Sequence, residues 1–183
     1  MKKILLLCVC LVVMSVTTVG QKPSTSGWKE FHPQEGWFTL EFPGDLVRKV
    51  DETPLPGRLG PSIEYDAGLL DKAGVVVKAA EFLTPVPKDE KSMNAFYDHI
   101  GSTVLEGMKG KLITQRSVMA STTLGREFEY SVGTRIVKQR MFYTADARLL
   151  QLIVVIPGEY KDEPQLLKAI ARFFDSFKIV EKY

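Results

Sequence analysis

Within the segment from Leu112 to Pro157, the pair Gly133-Thr134 sits between two stretches that alternate polar and apolar side chains. A period of two sends successive side chains to opposite faces of a strand, so two such stretches joined by two residues read as an antiparallel hairpin. Glycine at the first central position suits a type II′ turn, which requires a positive φ there. Counting outward from that turn sets the register. Val132 faces Arg135, Tyr130 faces Val137, Glu129 faces Lys138 and Glu127 faces Arg140. One face is then aromatic and aliphatic, while the other sets two acids opposite two bases, pairs worth about 0.2–1 kcal/mol each. Turn chemistry and charge placement agree, which constrains the fold more than either does alone.

The rest of the chain arranges itself around that hairpin. Gly36-Trp-Phe-Thr-Leu-Glu-Phe-Pro43 alternates with Phe38, Leu40 and Phe42 on one side, a half-buried strand closed by Pro43-Gly44, and Leu46 to Val50 is expected to return as its partner. Residues 51–61, with three prolines and two glycines, read as a loop. Ser62 to Ala67 and Gly74 to Leu83 are the next strands, the second nearly continuously apolar and therefore central. A second hairpin near Asp146 is expected to return Leu150, Leu152, Val154 and Ile156 to the core face of Met141 and Tyr143.

Two segments switch to helical spacing. Met93, Phe96, Ile100, Val104 and Met108 recur every three to four residues, predicting an amphipathic helix over 92–109 with Ser92 as its cap and Gly110 as its stop. Asp162 or Glu163 caps a second helix with Pro164 in its first turn and an apolar stripe of Leu166, Leu167, Ile170, Phe173 and Phe174. Phe177 to Val180 is a short closing strand. Strands, helix, strands, helix, joined by hairpins instead of βαβ crossovers, is an α+β fold: a mainly antiparallel sheet flanked by two helices.

The N-terminus bears on address. Lys2 and Lys3 precede an apolar run from Ile4, and small or polar residues through Gly20 follow, which is the layout of a secretory signal peptide over residues 1–20. The run is shorter than the roughly 20 residues a helix needs to span a bilayer, with an uncleaved anchor as the alternative. Neither Cys8 nor Cys10 follows the small residue that a lipoprotein signal requires. Residues 21–27 read as a flexible leader and residues 28–183 as a single domain. The 183-residue chain carries 24 Lys+Arg, 22 Asp+Glu and two Cys. Losing residues 1–20 removes two Lys, both Cys and no acid, leaving 22 bases against 22 acids. The expected product is exported, periplasmic or secreted, with no stable membrane insertion after cleavage. It has no thiol chemistry and no bulk positive charge to drive nucleic-acid binding.

Trp28 with Gly36-Trp-Phe-Thr-Leu-Glu-Phe-Pro43, Gly125-Arg-Glu-Phe-Glu-Tyr130, and Arg148-Leu-Leu-Gln-Leu-Ile-Val-Val-Ile-Pro157 leading to Phe173-Phe-Asp-Ser-Phe177 form a recognisable set. They resemble a group of uncharacterised bacterial exported proteins similar to the PsbP-like fold, an α/β/α sandwich. The resemblance covers most of residues 28–180, and its motifs are structural. It implies binding as the mode of action, since members include a photosystem II extrinsic subunit, a Ran-GTPase cofactor and bacterial secretion chaperones. They share no catalytic residues to carry over.

Candidate chemistry is sparse. Asp98, His99 and Ser102 lie on the first predicted helix, but Asp98 and His99 are consecutive and point about 100° apart, so surface helix residues are the expectation. His32 reads as a loop contact. Two His 67 positions apart and no mature Cys give no zinc spacing, and Asp66 and Asp71 lack a calcium-loop series. Glu127 and Glu129 are paired carboxylates whose register partners point to a structural role. Alternation spreads Arg126, Arg135, Lys138 and Arg140 over both sheet faces. Nucleotide-binding motifs are absent from the sequence, and no cofactor is expected.

The candidate partner-binding residues are Trp28, Phe31 and Trp37, crowded at the start of the domain, although such aromatics also cover sheet edges. The expectation is an exported, non-catalytic protein-interaction module, with no enzyme activity, whose partner is an envelope or extracellular protein. A small-ligand or lipid carrier with a pocket between the sheet and the helix at 92–109 is the alternative, and a hydrolase a third.

Overall fold

The computed structural model describes residues 27–53, 57–83, 86–87 and 89–180. The expected signal peptide and nearly all of the expected leader lie outside the described residues. The elements are β1 (Trp28–Phe31), β2 (Phe38–Pro43), β3 (Val47–Asp51), β4 (Arg58–Leu69), β5 (Ala73–Phe82), α1 (Glu90–Met108), β6 (Lys111–Ala120), β7 (Thr123–Val132), β8 (Arg135–Tyr143), β9 (Arg148–Pro157), α2 (Pro164–Asp175) and β10 (Lys178–Ile179). Seven strands form one antiparallel sheet in the order β3-β4-β5-β9-β8-β7-β6. A second sheet, β1-β2-β10, joins α2 on one face of it, and α1 lies on the other. This is the α+β architecture expected, with a mainly antiparallel sheet between helical layers.

The hairpin at Gly133-Thr134 has the register counted from its turn: Val132 faces Arg135, Tyr130 faces Val137, Glu129 faces Lys138 and Glu127 faces Arg140. Gly133 takes φ 57 while Thr134 stays out of the left-handed region, as a type II′ turn requires. The next hairpin departs from expectation. Leu150 faces Phe142 and Gln151 faces Met141, so Leu150, Leu152, Val154 and Ile156 lie on the α2 side, opposite to Met141 and Tyr143. The turn explains the change of face. Ala147 donates its N–H to Thr144 O at 2.9 Å and takes φ 61, a three-residue loop closed by a left-handed residue. An odd loop reverses the face parity that a two-residue turn sets. Because β9 is buried on both faces along nearly its whole length, its pattern gives no hint of parity.

Three further corrections concern pairing and boundaries. β3 does not pair with β2; it pairs with β4, Val50 facing Ile63, and β2 instead lies between β1 and β10. β4 begins at Arg58, inside the stretch expected to be loop, with a bulge between Leu59 and Ile63 that accommodates Gly60 and Pro61. Helix α1 starts one turn early because Asp89, not Ser92, is the cap: its carboxylate accepts the Ser92 N–H at 2.8 Å and the Ser92 hydroxyl at 2.7 Å. At the far end Lys109 is the left-handed residue, and the Gly110 N–H bonds back to Leu105 O.

Two cores result, one on each face. Tyr97, Ile100 and Val104 of α1 pack on Phe128, Tyr130, Val137, Met141, Tyr143 and Ile153. Tyr97 is wholly buried, and its hydroxyl donates to Leu124 O at 2.9 Å and accepts the Tyr143 N–H at 2.8 Å, joining α1 to β7 and β8. Gly101 permits the close approach, since a Cβ there would sit 2.5 Å from the Phe128 ring. On the other face Phe38, Leu40 and Phe42 of β2 meet Leu166, Ile170 and Phe173 of α2 over β4, β5 and β9.

Candidate functional site

Seven strands spaced about 4.8 Å apart make a sheet about 29 Å wide, and one helix about 10 Å across cannot cover it. One face has α1 alone and the other has α2 with the small sheet, and the core on each face draws on only part of the sheet's width. On the α1 side the core draws on β7, β8 and β9 and takes Val76 and the half-buried Phe82 from β5. On the α2 side it draws on β4, β5 and β9, with Phe142 from β8 and Ala120 from β6. The parts left bare lie diagonally opposite, and both carry charge.

Beyond α2 the bare part is an ion-pair ladder across β8, β7 and β6. Arg140 Nε donates to Glu127 at 2.6 Å and Arg116 Nε donates to the other oxygen of the same carboxylate at 2.7 Å. Arg140 is anchored inward as well: its Nη1 donates to Phe174 O at 3.2 Å and to Asp175 at 3.4 Å, and its guanidinium lies 4.6 Å from the Phe174 ring centroid. Lys138 pairs with Glu129 at 2.9 Å. Burial alone pushes the Glu127 carboxyl up, but its bonds to Arg116 and Arg140 together outweigh that and hold it below the usual range.

Beyond α1 the bare part is a cluster on β3, β4 and β5. Lys49 bonds to Asp66 and lies 3.6 Å from Glu64, while Lys78 lies 3.8 Å from Glu64. Burial pushes the Glu64 carboxyl up, and neighbouring Asp66 adds to it. The hydrogen bond to Asp66 raises Lys49. From here a buried polar chain runs under α1: Gln139 Nε2 donates to Gln151 at 2.7 Å and the Tyr130 hydroxyl donates to Gln139 at 3.0 Å. Burial raises the Tyr130 phenol. Glu64 and Asp66 are two apart on one strand, so their shared face is legible; that Lys78 and Lys49 join them depends on strand pairings that the sequence does not announce.

The residues singled out from sequence go to separate places. Phe31 joins an aromatic cluster, edge-on to Tyr65 at 4.8 Å and Phe42 at 5.8 Å. Trp28 lies under the Arg172 guanidinium at 4.6 Å, and Trp37 lies 5.4 Å from that of Arg148, itself buried and ion-paired to Asp146. All three aromatics are half-buried against the α2-side core. The Asp98 carboxylate accepts from Arg126 at 3.1 Å and the Ser102 hydroxyl donates to the Asp98 carbonyl at 2.9 Å, so the three helix residues form no relay through His99. His32 lies 3.5 Å from Glu30. Arg126 faces α1 while Lys138 and Arg140 face the α2 side, the scatter that alternation implies. Among the described residues no three His, Cys, Asp or Glu side chains gather as metal ligands, and no helix is long and apolar enough to cross a membrane.

The space between α1 and the sheet is filled by Tyr97, Ile100, Val104 and Phe128, each no more than 4% exposed. A shallow depression of about 590 Å³ lies instead along the flank of α1, lined by Glu90, Lys91, Asn94, Ala95 and Asp98.

No protein-family model and no curated protein matches the chain. Among solved structures it is similar to the cyanobacterial PsbP (CyanoP) of Synechocystis sp. PCC 6803, at 12% identity and TM-score 0.59, covering 84% of this chain and 93% of that one. It is also similar to LpqN of Mycobacterium tuberculosis, described as involved in cell envelope biogenesis, at 10% identity and TM-score 0.50, covering 84% and 91%. The chain has the PsbP-like fold.

Proposed function

We propose that this protein is an exported, non-catalytic interaction module that docks another protein in the cell envelope or outside it. The observation that carries the reading is the incomplete cover of the sheet: the packed core leaves two charged parts of the large sheet without a helix over them and, among the described residues, both of its outer strands without a further neighbour. Such polar, partly exposed surfaces suit recognition of a macromolecule, with charge setting specificity and rate of encounter. The fold is shared with LpqN, whose description places it in envelope biogenesis, and the layout of residues 1–20 supports export. Trp28, Phe31 and Trp37 support the domain start in this reading, and Trp28 and Trp37 each retain a half-exposed surface for contact. The carrier alternative needs an apolar cavity under α1, and that interface is filled.

Native mass spectrometry of the protein, purified gently from its host's cell envelope and medium, tests the reading. A reproducible additional protein mass is the expected result. A bare monomer overturns a stable partner, and a small bound mass moves the carrier reading to the front.

A further inference from the structure

The large sheet ends on one side at β6, ten residues hydrogen-bonded to β7 alone. Its outer row of backbone N–H and C=O groups meets no other strand among the described residues. Only Ala120 of the strand is buried. A register shift between Leu112 and Thr114 bulges the chain at Ile113, so the regular stretch able to accept another strand is Thr114–Ala120. The opposite edge, β3, has five residues.

Charge order singles out β6. Across the α2 side of the sheet the groups alternate in sign: Asp175, Arg140 on β8, Glu127 on β7, then Arg116 on β6. Arg116 is the outermost member, its side chain is 64% exposed, and it shares its carboxylate with Arg140. β6 carries Lys111 and Arg116 and no acid. The next position outward in this series calls for a negative charge. On the other side of the strand Met119 is 60% exposed, an apolar surface for the alternate residues of an added strand.

We infer that β6 is a docking edge for an extended acidic segment of a partner protein, which adds as an eighth strand and sets a carboxylate opposite Arg116. Main-chain hydrogen bonds supply the pairing, and alternate side chains supply the choice of partner. A second copy of this chain does not fit. β6 against β6 sets cations against an acid-free strand, and β3 brings Arg48 and Lys49 with a single acid, Asp51. The inference rests on the interaction-module reading and names its surface and its partner's chemistry.

The test uses ¹⁵N-labelled protein expressed with its own N-terminal segment, and three synthetic twelve-residue peptides: alternating Glu-Val, alternating Lys-Val, and Glu-Val with every amide N-methylated, which blocks both edges of the added strand. Glu-Val peptide is expected to shift and protect the amides of Thr114–Ala120 and to bind about ten-fold tighter than Lys-Val. Arg116→Glu, an exposed substitution, reverses that preference, and the methylated peptide does not bind. Equal binding of the two charge types, shifts confined to other strands, or no binding overturns the proposal. So does concentration-dependent protection of β6 without peptide, which identifies a second copy as the occupant. A partner mass in native spectra that survives Arg116→Glu overturns the docking edge and leaves the interaction-module reading standing. Peptide binding at β6 with no partner mass from the host does the reverse.

Discussion

The two bare parts of the sheet contain the same kinds of side chain and handle them differently. Across β6, β7 and β8 one acid, Glu127, lies between two arginines, and its carboxyl is held low. Across β3, β4 and β5 two acids, Glu64 and Asp66, share a face, and the Glu64 carboxyl is pushed up by burial and by its neighbour. The first arrangement alternates in sign and stabilises its charges, while the second crowds like charges and relies on Lys49 and Lys78 to offset them. The difference shows that a sheet surface is not made favourable by the number of its charges; the order in which strand pairing sets them decides.

The covers that bound these surfaces come first among the expected effects. Phe173 is fully buried between Phe42 and Phe174, so Phe173→Ala should cost about 3–5 kcal/mol in denaturant unfolding and loosen the anchor of Arg140 on α2. A cost under about 1 kcal/mol indicates that α2 is a detachable cover. Tyr97→Phe on the opposite cover strands the Leu124 carbonyl and the Tyr143 N–H. About 1–3 kcal/mol is expected, with faster hydrogen exchange at Tyr143. Glu127→Gln breaks the ladder at its centre and leaves two arginines facing each other; a loss of about 1–2 kcal/mol at neutral pH is expected. Glu64→Gln is the counterpart and should stabilise slightly, by less than about 1 kcal/mol, because it removes a crowded charge. If both substitutions cost the same, the contrast between the two surfaces fails.

Acid titration sharpens the same contrast, with opposite signs. Glu127 is depressed in the folded protein, so its contribution is present above the ordinary 4.5 and lost as pH falls through the lower folded value. Glu64 is raised, so it costs stability once pH rises above 4.5 toward the folded value, and protonation relieves that cost as pH falls. Unfolding free energies measured from pH 3 to 7 should therefore show a shallower acid-side loss for Glu127→Gln than for the parent protein, and a steeper one for Glu64→Gln.

How much of this was legible depended on sequence distance. The ladder's inner pairs, Glu127 with Arg140 and Glu129 with Lys138, follow from Gly133-Thr134 because a two-residue turn leaves one register. Its outer member, Arg116, and its inner anchor, Asp175, come from a different hairpin and from α2, and no local signal announces them. The cluster was less visible still. The sequence places Lys49 beside β2, and it reaches Glu64 because β3 pairs with β4 instead. The half-buried aromatics Trp28, Phe31 and Trp37 are close together in sequence, yet they rest in three different surroundings.

By itself the sequence determined the elements and the nearest contacts: period two for the strands, period 3.6 for the helices, a glycine turn for one register, Pro164 at a helix start. These are properties of a few neighbouring residues and of backbone geometry, so they survive without knowledge of the rest. Tertiary structure alone decided which strands became neighbours across long separations, which side of the doubly buried β9 faced which helix, and how much of each sheet face stayed bare. Those outcomes depend on filling one shared volume. An apolar strand such as β9 satisfies either face equally well until α1, α2 and the small sheet have taken their places against it.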